Sequence, residues 1–173
     1  MSANTSRKIR IRTAHAEDAA AICGIYNHYI RETAITFEVD SVTEEVMLKR
    51  INSILEAGFP WLVAVEDNRI IAGYAYAQPW KTRRAYRYSL ESTIYLHPGS
   101  TGRGTGSRLY GELLSWIRGA GYHTVIGGIA LPNPASIALH EKFGFGKVAH
   151  FREVGYKFER WIDVGYWQLH ISG

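Results

Sequence analysis

Apolar and polar residues alternate at Ile9-Arg10-Ile11-Arg12, the period-two pattern of a half-buried strand. Over 17–30 the apolar positions Ala21, Ile22, Ile25, Tyr29 and Ile30 recur at spacings of one to four, which predicts one buried face of a helix. Ser41-Val42-Thr43-Glu44 reads as a capping box opening a second helix to about 57, with Gly58 as its stop. Two apolar runs, 61–65 and 70–76, flank the polar stretch Glu66-Asp67-Asn68-Arg69 and predict an antiparallel hairpin with both strands buried. A polar, aromatic loop over 79–87 leads to a strand at 88–97, a glycine-rich turn and a helix at 104–120. A strand at 123–129, a short helix at 135–143 and strands at 147–154 and 161–170 complete the pattern. The order β-α-α-β-β-β-α-β-α-β-β, a hairpin sheet followed by one strand-helix-strand crossover, predicts an α+β fold with a mixed sheet and helices on its faces. Residues 1–6 are polar and expected to fray, and with no repeat or linker residues 7–173 are expected to form a single domain.

Composition narrows the class without choosing the function. At 173 residues the chain is long enough to bury a substantial core, and 46% hydrophobic with 21% charged residues is globular in character. The single cysteine, Cys23, has no partner for an internal disulfide and reads as a small buried hydrophobe. No window of about 18 apolar residues occurs, and the basic N-terminal stretch lacks an apolar run before a cleavage site. The expectation is a cytoplasmic protein with no membrane partner. A net charge of +4 fits nucleic acid, a membrane surface or an anionic small ligand. The basic residues are scattered, so a phosphate-bearing cofactor with an acidic substrate is at least as economical as nucleic acid.

The most informative segment is Ile94-Tyr95-Leu96-His97-Pro98-Gly99-Ser100-Thr101-Gly102-Arg103-Gly104-Thr105-Gly106-Ser107, which carries an apolar strand through four glycines straight into a helix. Glycines let successive N–H groups turn inward, and the free N–H groups and positive dipole end of the helix favour a phosphate or pyrophosphate. Arg103 adds a formal positive charge, although such a cluster also serves as a plain tight connection. A P-loop requires a lysine after its last glycine, and Thr105 follows Gly104 here. A dinucleotide fingerprint belongs early in a parallel βαβ pattern, whereas Gly102-Arg103-Gly104-Thr105-Gly106-Ser107 comes late, behind an antiparallel hairpin.

This turn, together with Asn133-Pro134-Ala135-Ser136-Ile137-Ala138-Leu139-His140-Glu141-Lys142-Phe143-Gly144-Phe145, resembles the GCN5-related N-acetyltransferase (GNAT) family over nearly the whole chain. Pro60-Trp61-Leu62-Val63-Ala64, Tyr74-Ala75-Tyr76-Ala77-Gln78-Pro79-Trp80-Lys81, Leu90-Glu91-Ser92-Thr93-Ile94-Tyr95-Leu96 and Asp163-Val164-Gly165-Tyr166-Trp167-Gln168 are similar to its phosphinothricin and methionine sulfoximine acetyltransferase branch. The resemblance implies a mixed, mostly antiparallel sheet with helices on both faces, and acetyl-CoA as acetyl donor. It also implies a small amino-acid-like acceptor such as phosphinothricin, methionine sulfoximine or methionine sulfone, and a homodimer with the aromatic C-terminal strands as contact region. The donor would lie along Ile94, Tyr95 and Leu96, with its pyrophosphate on Gly102, Arg103, Gly104, Thr105, Gly106 and Ser107 and its pantetheine arm near Asn133. The family's usual Arg or Gln at the head of the turn falls on Thr101, leaving Arg103 or backbone groups to compensate. The tyrosine that many members place in the following helix falls on His140, as it does in the phosphinothricin branch.

Acetyl transfer needs a neutral amine, and an alkylammonium with a pKa near 10.4 is almost fully protonated at neutral pH, so a base is required. Glu91, an acid among apolar and aromatic neighbours, is the candidate; it also matches the branch's Glu-Ser-Thr segment. Backbone N–H groups of Ile94-Tyr95-Leu96 can serve the charge that accumulates on the thioester oxygen, provided the strand parts from its neighbour. His140 is a candidate to protonate the leaving thiolate or to relay a proton with Glu91, or else a histidine bonded inside the fold. Asn133 either caps its helix or bonds the pantetheine arm. Lys81, Arg83, Arg84 and Tyr86 offer charge-assisted donors to an acidic acceptor, and Phe37 in Thr36-Phe37-Glu38 resembles the branch's other substrate wall. No His/Cys spacing suggests a metal, and no nucleophile motif suggests a covalent enzyme intermediate. The alternatives are a protein N-terminus or other amine as acceptor, or a non-catalytic basic module.

Overall fold

The computed structural model describes residues 9–66 and 70–171, so the expected N-terminal tail and the tip of the first hairpin, 67–69, lie outside the described residues. Seven strands form one sheet: β1 (Arg10–Thr13), β2 (Trp61–Val65), β3 (Ile71–Pro79), β4 (Ser89–Leu96), β5 (Thr124–Leu131), β6 (Gly146–Lys157) and β7 (Arg160–His170). Their order across the sheet is β1-β2-β3-β4-β5-β7-β6, and every neighbouring pair is antiparallel except β4–β5. The helices are α1 (Ala19–Glu32), α2 (Glu44–Glu56), α3 (Thr105–Gly119) and α4 (Pro134–Lys142). The expected α+β architecture is the one observed, and no helix among the described residues is long and apolar enough to cross a membrane.

The continuous apolar run of β2 is explained by burial on both faces. Trp61 and Val63 pack with Ile22, Ile30, Met47 and Ile51 of α1 and α2, while Leu62 and Ala64 pack with Leu109, Leu113 and Ile117 of α3. Period-two alternation thus assigns odd and even positions of one strand to two separate cores. The same alternation continues in β4, where Leu90 faces α3 and Tyr95 faces α1.

Two boundaries differ from expectation. The second helix is capped by Thr43, whose hydroxyl accepts from the Val46 N–H at 3.2 Å, and not by Ser41. Asn27 of α1 accepts from the Val42 N–H and donates to the Val42 carbonyl, both at 2.9 Å, so Val42 is held extended and the helix begins only after it. β6 runs on to Lys157, beyond the expected end at 154, because register shifts between Lys147 and Ala149 and between Phe151 and Gly155 break its alternation. The turn to β7 is Phe158-Glu159, both at positive φ (51° and 58°), without the Asn or Gly that usually marks such a hairpin.

Candidate active site

β4 and β5 pair only at Ser89–Glu91 against Thr124–Ile126. Beyond Glu91 the strands part, and Ser92 marks the fork: its hydroxyl lies 2.8 Å from the Tyr110 hydroxyl and donates to the Ile126 carbonyl at 3.4 Å. The opening is a cleft of about 240 Å³ lined by Thr93, Ile94, Tyr95 and Leu96 on β4, Gly128 and Ala130 on β5, and Asn133, Ser136, Leu139 and His140 around α4, with Thr101 also on its wall. The His97 N–H bonds the Ala72 carbonyl on β3, so the antiparallel alternation spends the Tyr95 amide on β3 and turns those of Ile94 and Leu96 toward the opened edge. Of the three expected backbone positions, Ile94 and Leu96 are therefore placed as donors, while Tyr95 contributes its side chain. The Leu96 carbonyl is taken by the Tyr29 hydroxyl at 2.7 Å.

The cleft leads to the N-terminus of α3. Gly102 and Gly104 there have positive φ (73° and 79°), conformations that glycine alone adopts freely, and Gly104 is the helix N-cap. Gly106 lets α3 approach closely: a Cβ on it would lie 3.2 Å from Leu96 Cδ1 and 3.9 Å from Leu139 Cδ2. Arg103 is exposed, Thr105 is buried, and Ser107 accepts from the Lys142 ammonium at 2.9 Å. Asn133 caps α4, its side-chain oxygen accepting from the Ser136 N–H at 3.1 Å, and it also borders the cleft. An opened strand edge, a cleft and a helix N-terminus in line fit a thioester on an extended, phosphate-terminated carrier.

Glu91 is half-buried on the α1/α2 face of the sheet, beside Gly128 and Tyr166. A Cβ on Gly128 would lie 3.2 Å from the Tyr166 ring and 3.7 Å from the Glu91 carboxylate. Burial raises the Glu91 pKa above the ordinary carboxylate value, against the opposing pull of the Lys81 charge and a hydrogen bond from Gln78. The Tyr166 hydroxyl is raised in turn by burial and by the Glu91 charge.

His140 lies on the opposite face. It is 4% exposed, with its ring against Tyr110 and Phe145 at centroid distances of 5.1 Å. Its Nδ1 is 2.8 Å from the Ser136 carbonyl, which can only accept, so Nδ1 carries the proton. Nε2 is left as the acceptor nitrogen, facing Gly127, where a Cβ would sit 2.5 Å from it. Burial lowers the His140 pKa and favours the neutral ring, although the bond to Ser136 opposes this.

The remaining expected residues divide. Lys81 stacks over Trp80 at 4.9 Å, and its charge reaches Glu91. Tyr86 meets the other part of that pair, edge-on to Trp80 at 5.5 Å. Arg83 and Arg84 are exposed at the turn before β4, and no contact among the described residues brings them to Glu91. Phe37 packs on Gly155 of β6, and its neighbour Ile35 lines the cleft. No group of three or more metal-ligating side chains occurs among the described residues. Sequence reading missed Tyr29, Ser92, Tyr110 and Tyr166. One signal was available for the site's centre: two glycines, Gly127-Gly128, inside a strand mark close approach of other groups.

The acetyltransferase (GNAT) domain model matches residues 11–165. The chain belongs to the GNAT acetyltransferase family. It is 41% identical over 162 residues to the phosphinothricin N-acetyltransferase of Streptomyces viridochromogenes, covering 94% of this chain and 87% of that one. With the L-methionine sulfoximine/L-methionine sulfone acetyltransferase of Salmonella typhimurium it shares 37% identity, covering 94% of both. Its structure matches a GNAT superfamily phosphinothricin acetyltransferase from Sinorhizobium meliloti, solved in complex with acetyl-CoA, with a TM-score of 0.91 at 33% identity, covering 94% of this chain and 88% of that one. This GNAT protein is an acetyl-CoA-dependent N-acetyltransferase.

Proposed function

We propose that the enzyme acetylates the α-amino group of a small amino-acid-like acceptor of the phosphinothricin, methionine sulfoximine or methionine sulfone kind, with Glu91 as the base. The observation that carries this reading is a half-buried carboxylate of raised pKa at the fork where β4 leaves β5. Acetyl-CoA supplies an activated acyl carbon. Glu91 takes a proton from the acceptor's ammonium, so that the nitrogen lone pair attacks that carbon. The Ile94 and Leu96 N–H groups steady the negative charge on the thioester oxygen, with no reorganisation needed at that moment. As the C–N bond forms the C–S bond breaks, and the thiolate leaves with a proton.

A neutral His140 with its proton on Nδ1 has no Nε2 hydrogen to give at rest, so its part is to receive a proton before passing it on. Lys81 faces the acceptor's acidic group, whereas exposed Arg83 and Arg84 contribute long-range attraction. The turn at Gly102, Arg103, Gly104, Thr105, Gly106 and Ser107 receives the pyrophosphate, with Arg103 in the role that Thr101 cannot fill. The reading extends to a cytoplasmic homodimer conferring resistance to such inhibitors. Support for the dimer is the row of exposed aromatics on β6 and β7, with Phe151 53%, Tyr156 57% and Trp161 62% exposed.

The test is thiol release from acetyl-CoA with phosphinothricin, methionine sulfoximine, methionine sulfone, the standard amino acids and a peptide panel. Turnover on the first three is expected; silence on every small acceptor with turnover on peptides would replace this reading by a protein N-terminus as substrate.

A further inference from the structure

Lys157, the last residue of β6, is a lysine whose position the acetyl-transfer chemistry does not explain. It is 4% exposed, no carboxylate among the described residues lies within ion-pair distance of it, and its ammonium donates to the main-chain carbonyl of Thr36 at 2.8 Å. A buried, unpaired ammonium is costly, and burial lowers its pKa accordingly. Two residues earlier on the same strand face, Gly155 leaves the space filled by the Phe37 ring; a Cβ at 155 would overlap that ring.

The segment so held forms a wall on Glu91's side of the sheet. Ile35 lines the cleft with Thr93 and Tyr95, which share the α1/α2 face of β4 with Glu91. Thr36 lies with its hydroxyl 2.8 Å from that of Tyr26 and also bonds the Tyr95 side chain. Glu38 accepts from Arg50 at 2.7 and 3.2 Å and from the Tyr26 hydroxyl at 3.1 Å. These bonds fasten side chains of the segment from below. Within the segment the Thr33 and Thr36 hydroxyls accept from the Ile35 and Glu38 N–H groups, while Lys157 takes hold of its main chain from the far edge of the sheet.

We propose that Lys157 is a positioning residue for the acceptor: by bonding the Thr36 carbonyl across from β6 it fixes the Ile35-Thr36-Phe37 wall opposite Glu91 and so sets acceptor affinity without touching the thioester. This rests on the proposed reading only for the identity of the acceptor. The hairpin turn strengthens the assignment. Phe158 and Glu159 both adopt positive φ, which non-glycine residues avoid, and the Lys157 ammonium lies 5.1 Å from the Phe158 ring. A turn held in that form delivers Lys157 to the α1/α2 face at one fixed height.

The experiment compares Lys157→Met, which keeps the stem and loses the donor, with Lys157→Arg, which keeps a donor. Met is expected to raise the KM for the acceptor about tenfold, with kcat and the acetyl-CoA KM changed less than about twofold, and Arg to restore most of the loss. In native-state amide exchange, Met is expected to expose 34–38 while α3 and β5 keep their protection. Unchanged protection at 34–38 overturns the proposal whatever the acceptor proves to be, as does a rise of both KM values in step with a fall in melting temperature. A KM rise for methionine sulfone but not for its carboxamide also overturns it, since Lys157 would then bind the acceptor carboxylate directly. If the wild type ignores all small acceptors, the functional reading fails, and amide exchange still decides the role of Lys157.

Discussion

Gly127 and Gly128 are neighbours on β5, yet they open onto two unlike environments. Behind Gly127 lies His140, 4% exposed and enclosed by aromatic rings. Before Gly128 lie Glu91 and Tyr166, half-buried and within reach of the Lys81 charge. Desolvation acts on both titratable groups and shifts them in opposite directions, the acid up and the imidazole down, because in each case it disfavours the charged form. The sheet thus holds the Glu91 carboxylate and the His140 imidazole on opposite faces, beside neighbouring positions of β5.

The comparison breaks most decisively at Glu91. Glu91→Gln is expected to lower kcat by about 10²- to 10⁴-fold in the thiol-release assay while acetyl-CoA binding by calorimetry is retained. The same variant is expected to melt no lower than the parent at neutral pH. A raised folded pKa contributes stability that is fully present below the unfolded value, about 4.3, and lost as pH rises through the folded one; glutamine carries no such cost, so its advantage disappears in acid. Equal activity in the variant would remove Glu91 from the mechanism.

Next in size is Gly127→Ala, whose methyl would lie 2.5 Å from His140 Nε2 and 2.7 Å from Cδ2, expected to cost about 1–3 kcal/mol in denaturant unfolding. His140→Phe sharpens the division, because a phenyl ring suits the aromatic surround and removes only the nitrogens. It is expected to fold and to lose about tenfold in kcat; an unchanged rate would make His140 purely a packing residue. The smallest effect belongs to Gly128→Ala, whose added methyl meets the Tyr166 ring at 3.2 Å. Its stability is expected to change by less than about 1 kcal/mol, while the acid limb of kcat/KM moves to higher pH as Glu91 is further desolvated. In the parent that limb is expected above the ordinary glutamate value of about 4.3.

Much of this was legible in the residues and some was not, for separable reasons. The apolar runs of β2 and β3, the glycine turn and the acid of β4 announce themselves by period, backbone need and chemical contrast, and the structure forms the strands and the turn where they were expected. The cap at Thr43 was hidden because it depends on Asn27, a helix away. The end of β6 was hidden because its register shifts destroy the alternation on which a strand is recognised. Within the site, Glu91 and His140 stand out by residue type, but their placement on opposite faces follows from how a strand and a helix register against Gly127 and Gly128. Lys81, Arg83, Arg84 and Tyr86 share one exposed polar loop, and only the fold shows that the Lys81 charge is felt at Glu91.

The fork at Ser92 has a consequence for the enzyme's life in a cell. A strand edge that turns amides into a cleft leaves part of the sheet's bonding incomplete until something lies along it, so folding and substrate supply are coupled. A donor held at a hundred times its dissociation constant would add about 2.7 kcal/mol to the stability of the native state. The melting temperature of this acetyltransferase should therefore rise with acetyl-CoA concentration, making the abundance of folded enzyme a readout of the metabolic state that feeds it.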